Sequence, residues 1–134
     1  MLSNSYDKLI KKFIAGVDAT KNIDYLSRQS IRKNNRGVVT YRKTAQMIGK
    51  QYPEKIGEFA SFLDSDDQKL KVCTAHCLLE LMPCTREIEG KALKVLRDYM
   101  DNCPQCDTIG YEIWFDMWES GEISEKKRKL LSES

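Results

Sequence analysis

The sequence predicts an all-α fold, a small stack of about six antiparallel helices. Three observations carry this. Proline occurs only at Pro53, Pro83 and Pro104, each time just after an apolar periodic segment has ended, where a residue lacking a backbone N–H closes a helix. Apolar side chains recur at helical spacing in the segments between those breaks. No run of four or more residues alternates cleanly between apolar and polar, and valine and isoleucine are sparse, so strands have no support.

The first helical block opens near Ser3 or Ser5 and carries Leu9, Ile10, Phe13, Ile14 and Val17 along one stripe. The second runs from about Asp24 to Gln51. It places Val38, Tyr41, Ala45, Ile48 and Tyr52 on one face, has a polar and basic first half from Ser27 to Arg36, and meets Gly37 as a point where it can bend. The third, residues 53–64, starts on Pro53 and carries Ile56, Phe59, Ala60 and Leu63. The fourth begins with a capping box, Ser65 with Gln68, whose two acids Asp66 and Asp67 also face the positive end of the helix dipole. The fifth has Thr85 as N-cap and Ile88, Ala92, Val95, Leu96 and Tyr99 on its apolar side. The sixth, Asp107 to Ser120, carries Ile113, Trp114, Met117 and Trp118 and stops at Gly121. The expected organisation is one domain over residues 1–121 and a charged, frayed tail over residues 122–134.

Block four differs from the others because its apolar residues form two stripes. At about 100° per residue, Leu70, Cys73, Cys77 and Leu81 fall on one side, and Val72, Ala75, Leu79 and Met82 fall on the other. A helix apolar on both sides must be covered on both, so block four is expected at the centre. Lys69, His76 and Glu80 make up one polar edge.

The 134 residues suffice for one core, and 41% hydrophobic with 31% charged residues is ordinary globular usage. Lys and Arg number 22 against 20 Asp and Glu; a net charge of +2 does not point to a nucleic-acid partner. The basic residues Arg28, Arg32, Lys33, Arg36, Arg42 and Lys43 are the one foothold for that class. Arg28, Arg32, Arg36 and Lys43 are expected to spread over much of the circumference of block two, with few aromatic residues among them for base stacking. No stretch of 18 apolar residues and no leader pattern occurs, and an odd count of five cysteines, with Cys73, Cys77 and Cys84 within or just after a helical pattern, fits a reducing cytoplasm better than a disulfide scaffold.

Catalysis lacks its parts. His76 is the only histidine, and no nucleophile elbow, phosphate-cradling glycine loop or paired-carboxylate motif is present, so the chain is not expected to be an enzyme or to need a cofactor. Cys103-Pro104-Gln105-Cys106 has the spacing of a metal or redox pair, but no strand precedes it and further ligands would have to fold back from Cys73, His76, Cys77 or Cys84. It is read as a loop with no metal and no disulfide. Cys73 and Cys77, and Trp114 and Trp118, are each read as core pairs. His76 and Glu80, one turn apart, read either as a contact point for a partner or as a satisfied structural pair.

Paired short helices, the tight turn Asp64-Ser65-Asp66-Asp67 and a second helix with Leu70, Val72, Ala75 and Leu79 resemble a HEAT-type repeat unit, of which one copy is clear. With Lys33-Asn34-Asn35-Arg36, Ala75-His76, Glu80, Ile113-Trp114 and Trp118, the chain over roughly residues 5 to 120 resembles a bacterial family of small HEAT-like proteins. It departs from that pattern in having Cys73 and Cys77 where alanine-like residues are usual. Members are often encoded beside polymorphic or contact-dependent toxins. The resemblance therefore implies a cytoplasmic immunity protein that covers the active site of a cognate toxin domain, the alternative being a small nucleic-acid binder. On the polar edge of block four and the matched motif of block two, the expected partner-binding residues are Asn35, Arg36, Lys69, His76 and Glu80, or else Arg36, His76 and Glu80 form an internal network between blocks two and four.

Overall fold

A computed structural model describes residues 2–102 and 108–133. Seven α-helices and no strand occur among the described residues: α1 (Leu2–Asp18), α2 (Arg28–Gln51), α3 (Ile56–Ala60), α4 (Gln68–Leu81), α5 (Arg86–Asn102), α6 (Thr108–Glu119) and α7 (Glu122–Ser132). Turns of 3₁₀ helix at Pro53–Lys55 and Ser61–Asp64 flank the short α3. The all-α expectation holds. The chain divides into two compact units, Met1–Ile56 and Gly57–Ser134.

In the first unit α1 and α2 pack as an antiparallel pair. Tyr6 meets the ring of Tyr52 at 5.7 Å and Phe13 that of Tyr41 at 5.9 Å, so contacts advance along one helix as they retreat along the other. Phe13, Val17, Ala45 and Ile48 are fully buried between them. Gly37 does not interrupt α2, which runs unbroken. Its role is close approach: a Cβ on Gly37 would stand 2.7 Å from the Gly16 carbonyl and 2.9 Å from the Ala19 side chain. The connection between the helices is held locally. Asp24 accepts from the Leu26 N–H, Ser30 from the Asp24 N–H, and Ser27 caps α2 by accepting from Ser30. The helix thus begins at Arg28, four residues after the expected start near Asp24.

In the second unit α4 is the central helix. Eight of its fourteen residues are buried, six from the two predicted stripes together with Thr74 and Leu78, and it packs against α5, α7 and the turn Ser61–Asp64. Val72 alone of the two stripes is half-buried. The N-cap of α4 is Asp67, which accepts from the Leu70 N–H at 3.2 Å, and Ser65 instead accepts from the Asp67 N–H. An acidic cap at the helix entrance takes the place of the expected serine box because the Ser65 hydroxyl closes the turn before it. Thr85 caps α5 as expected, accepting from Ile88.

Residues 122–132 form α7 where a frayed tail was expected. Gly121 turns the chain at φ +84°, Ile123 is buried, and Lys127 reaches across to donate to the Leu78 carbonyl at 2.9 Å. That carbonyl belongs to the last turn of α4, which has no intrahelical donor for it, and a cation there also opposes the negative end of the helix dipole. A charged segment is recruited because α4 needs its C-terminus satisfied.

Two substitutions probe this packing. Gly37→Ala should lower stability by about 1–3 kcal/mol in denaturant unfolding, because backbone and not a flexible side chain blocks the added methyl. Thr74→Val should raise it by about 1 kcal/mol, since the Thr74 hydroxyl is fully buried and has no hydrogen-bond partner among the described residues.

Candidate functional site

The polar centre of the second unit is the Glu80 carboxylate. Its Oε2 accepts from His76 Nδ1 at 2.7 Å and from the Trp114 indole N–H at 3.1 Å. A carboxylate can only accept, so Nδ1 carries a proton, and Nε2 pairs with the Tyr111 hydroxyl at 2.9 Å. His76 and Glu80 occupy the edge of α4, while Tyr111 and Trp114 come from α6, so the network ties those two helices together. His76 packs edge-on to Trp114 at 5.5 Å, and Trp114 stacks on Trp118 at 5.7 Å with the rings 8° apart. Tyr99 meets Tyr111, and Arg97 lies over the Phe115 ring at 4.4 Å. The arrangement orients α6. It spends both ring nitrogens of the single histidine on holding two aromatic side chains.

The expected partner-binding residues divide accordingly. His76 and Glu80 are half-buried and hydrogen-bonded, while Lys69 is exposed on the first turn of α4. Asn35 and Arg36 are exposed on α2, in the other unit, and Arg36 has no hydrogen bond or ion pair among the described residues. The internal network thus joins blocks four and six instead of blocks two and four. Tyr111 and Trp114 went unrecognised as its members because 35 and 34 residues separate them from their partners, beyond any helical spacing. Trp114 and Trp118 are half-buried, short of the core position expected of them.

With Tyr111, Trp114, Phe115 and Trp118 turned inward, α6 presents its other side to solvent. Ile109 and Ile113, one turn apart, are 71% and 56% exposed. Glu112 and Asp116 flank them, exposed and without ion-pair partners among the described residues. No sequence reading singled out this face, although isoleucine at i and i+4 opposite an aromatic stripe is visible in the sequence.

The solvent face of α2 also departs from expectation. Arg28, Arg32, Arg36, Lys43 and Lys50 are all exposed and fall within about 80° of arc, opposite the buried Thr44, Ala45 and Ile48. The predicted scatter was wrong: steps of four and seven residues each return to nearly the same side of a helix.

Cys73 and Cys77 are buried and Cys84 is half-buried, none of them in a disulfide, and Cys103 and Cys106 lie outside the described residues. Among the described residues no helix is long and apolar enough to cross a membrane. Burial pushes the Cys84 thiol above its usual range, opposed by the nearby Lys127 ammonium and reinforced by Glu89.

Glu80→Ala strands two buried-side donors, and should cost about 1–3 kcal/mol with a change in tryptophan emission. Unchanged stability would show that the three groups do not depend on the carboxylate. Cys84 should resist iodoacetamide at neutral pH in the folded protein and react on unfolding, because little of it is thiolate while folded. Peptide mapping of the alkylated sites checks this. The chain matches no protein-family model, no characterised protein and no solved structure among those compared with it.

Proposed function

We propose that this chain is a non-enzymatic protein-binding domain, an immunity protein that neutralises a bacterial toxin by covering its active site. The observation that carries the binding role is the outer face of α6. Ile109 and Ile113 form a small apolar centre beside the acids Glu112 and Asp116, which have no ion-pair partner among the described residues. An apolar centre with a charged rim is the anatomy of a protein interface, and leaving two adjacent isoleucines in water has no folding benefit.

Charge indicates the kind of partner. Residues 57–134 carry ten Lys and Arg against sixteen Asp and Glu, a formal −6. A basic surface is the complement, and many enzymes that act on phosphodiesters present one around their active sites. Complementary charge would speed encounter, and the isoleucines would slow dissociation. The immunity role itself rests on the family resemblance, which joins the motif residues of α2, α4 and α6 to proteins encoded beside toxins. His76 and Glu80 act in this reading through the network that sets the angle of α6.

The test is to look for a toxin-like reading frame adjoining this chain's gene and to co-express its toxic domain with this chain. Growth should be rescued through a one-to-one complex. Ile109→Asp with Ile113→Asp should abolish rescue and weaken binding by at least about 100-fold, as expected for the loss of two buried apolar anchors. The melting temperature should stay unchanged, because neither side chain packs in the core. Full rescue by the double variant would remove α6 from the interface, and failure of the intact chain to bind or protect would overturn the immunity reading.

A further inference from the structure

The net charge of +2 is the sum of two opposite halves. Residues 1–56 carry twelve Lys and Arg against four Asp and Glu, a formal +8. The excess concentrates on α2, whose 24 residues hold seven basic side chains and no acid. Five of these, Arg28, Arg32, Arg36, Lys43 and Lys50, make up the exposed strip, and none has an ion-pair partner among the described residues. Such a strip is costly to leave unbalanced, because like charges at i and i+4 repel.

We infer that the α2 strip binds the backbone of double-stranded nucleic acid without reading its sequence. Three features favour this ligand. From Arg28 to Lys50 the strip extends about 33 Å, close to one turn of duplex, and its uniform sign suits a uniformly charged rod. Its first three members are arginines on successive turns, and a guanidinium meets phosphate oxygens with two parallel hydrogen bonds. No aromatic side chain lies on the strip; Val39 is its one exposed apolar residue, so it has no platform for the unstacked bases of a single strand. An acidic protein would ordinarily present mixed charges, and α2 offers no acid to meet the basic ones.

Fluorescence anisotropy of the full chain with a labelled 20-base-pair duplex of arbitrary sequence tests the inference. Binding should be micromolar near 50 mM salt. Log affinity should fall against log salt with a slope of about −3 to −4, the counterion release expected for three to five phosphates. Arg32→Gln with Arg36→Gln should weaken binding at least about tenfold and reduce that slope by about 2, with circular dichroism and melting unchanged. Lys126→Gln with Lys129→Gln, on exposed positions of α7, should change neither. Four results would overturn the inference: no duplex binding at low salt, a slope insensitive to the α2 variants, tighter binding of the corresponding single strand, or polyglutamate bound as tightly as the duplex. The last would assign the strip to an acidic protein.

Discussion

Everything in the second unit follows from α4 being apolar on two sides. Leu70, Cys73, Cys77 and Leu81 require cover in one direction, and Ala75, Leu79 and Met82 in another. α5, α7 and the turn Ser61–Asp64 supply it. What remains is a narrow edge carrying His76 and Glu80, too enclosed for either group to rely on water alone. α6 resolves this by bringing an indole N–H to the carboxylate and a hydroxyl to the imidazole. Those bonds fix which residues of α6 turn inward, and so which turn outward. Ile109 and Ile113 are exposed because Trp114 and Tyr111 are engaged. A structural network and a candidate contact face are thus opposite sides of one helix, and the second depends on the first.

The first unit works from a simpler constraint. Gly16 and Gly37 let two backbones approach until the added atoms of any side chain would collide. At that separation Phe13, Val17, Ala45 and Ile48 close a dry seam. A two-helix seam buries only one side of each helix, so α2 keeps a long solvent face whatever its sequence. The charges that the sequence places on that face are all cations. Helical geometry converts spacings of four and seven residues into a straight line, and a composition bias becomes a directional surface.

Helices were legible wherever local chemistry decides. The Thr85 cap, Pro53 and Pro83 at segment ends and the paired stripes of α4 each act within a few residues, and each stands where the local pattern put it, while Pro104 lies outside the described residues. Misreadings arose where a distant group decides. α7 looks like a solvated tail because Ile123 is its sole buried residue; it is placed by Lys127 meeting a carbonyl 49 residues away. The His76–Glu80 pair was visible, but Tyr111 and Trp114 were not, since nothing local links α6 to α4. Ser65 and Asp67 show the finer limit. Both side chains can cap, and only the turn geometry determines which one does.

The α2 strip belongs to a different class, because its residues were present in the sequence and were discounted on an expected scatter around the helix and too few aromatics, beside a net charge that did not point to nucleic acid. Net charge is a weak exclusion for any chain with more than one compact unit. In physiological salt an exposed charge is screened within about 8 Å, so a ligand on α2 responds chiefly to the charges within that distance of it, Arg32 and Arg36 among them. The relevant quantity is the sign balance on a face of one helix, and on α2 that balance has no negative term. The same reasoning applies to α6, where Glu112 and Asp116 flank Ile109 and Ile113 and contribute the nearest charges of that helix face. Two oppositely charged surfaces can therefore act on different ligands within one nearly neutral chain, each governed by its own helix.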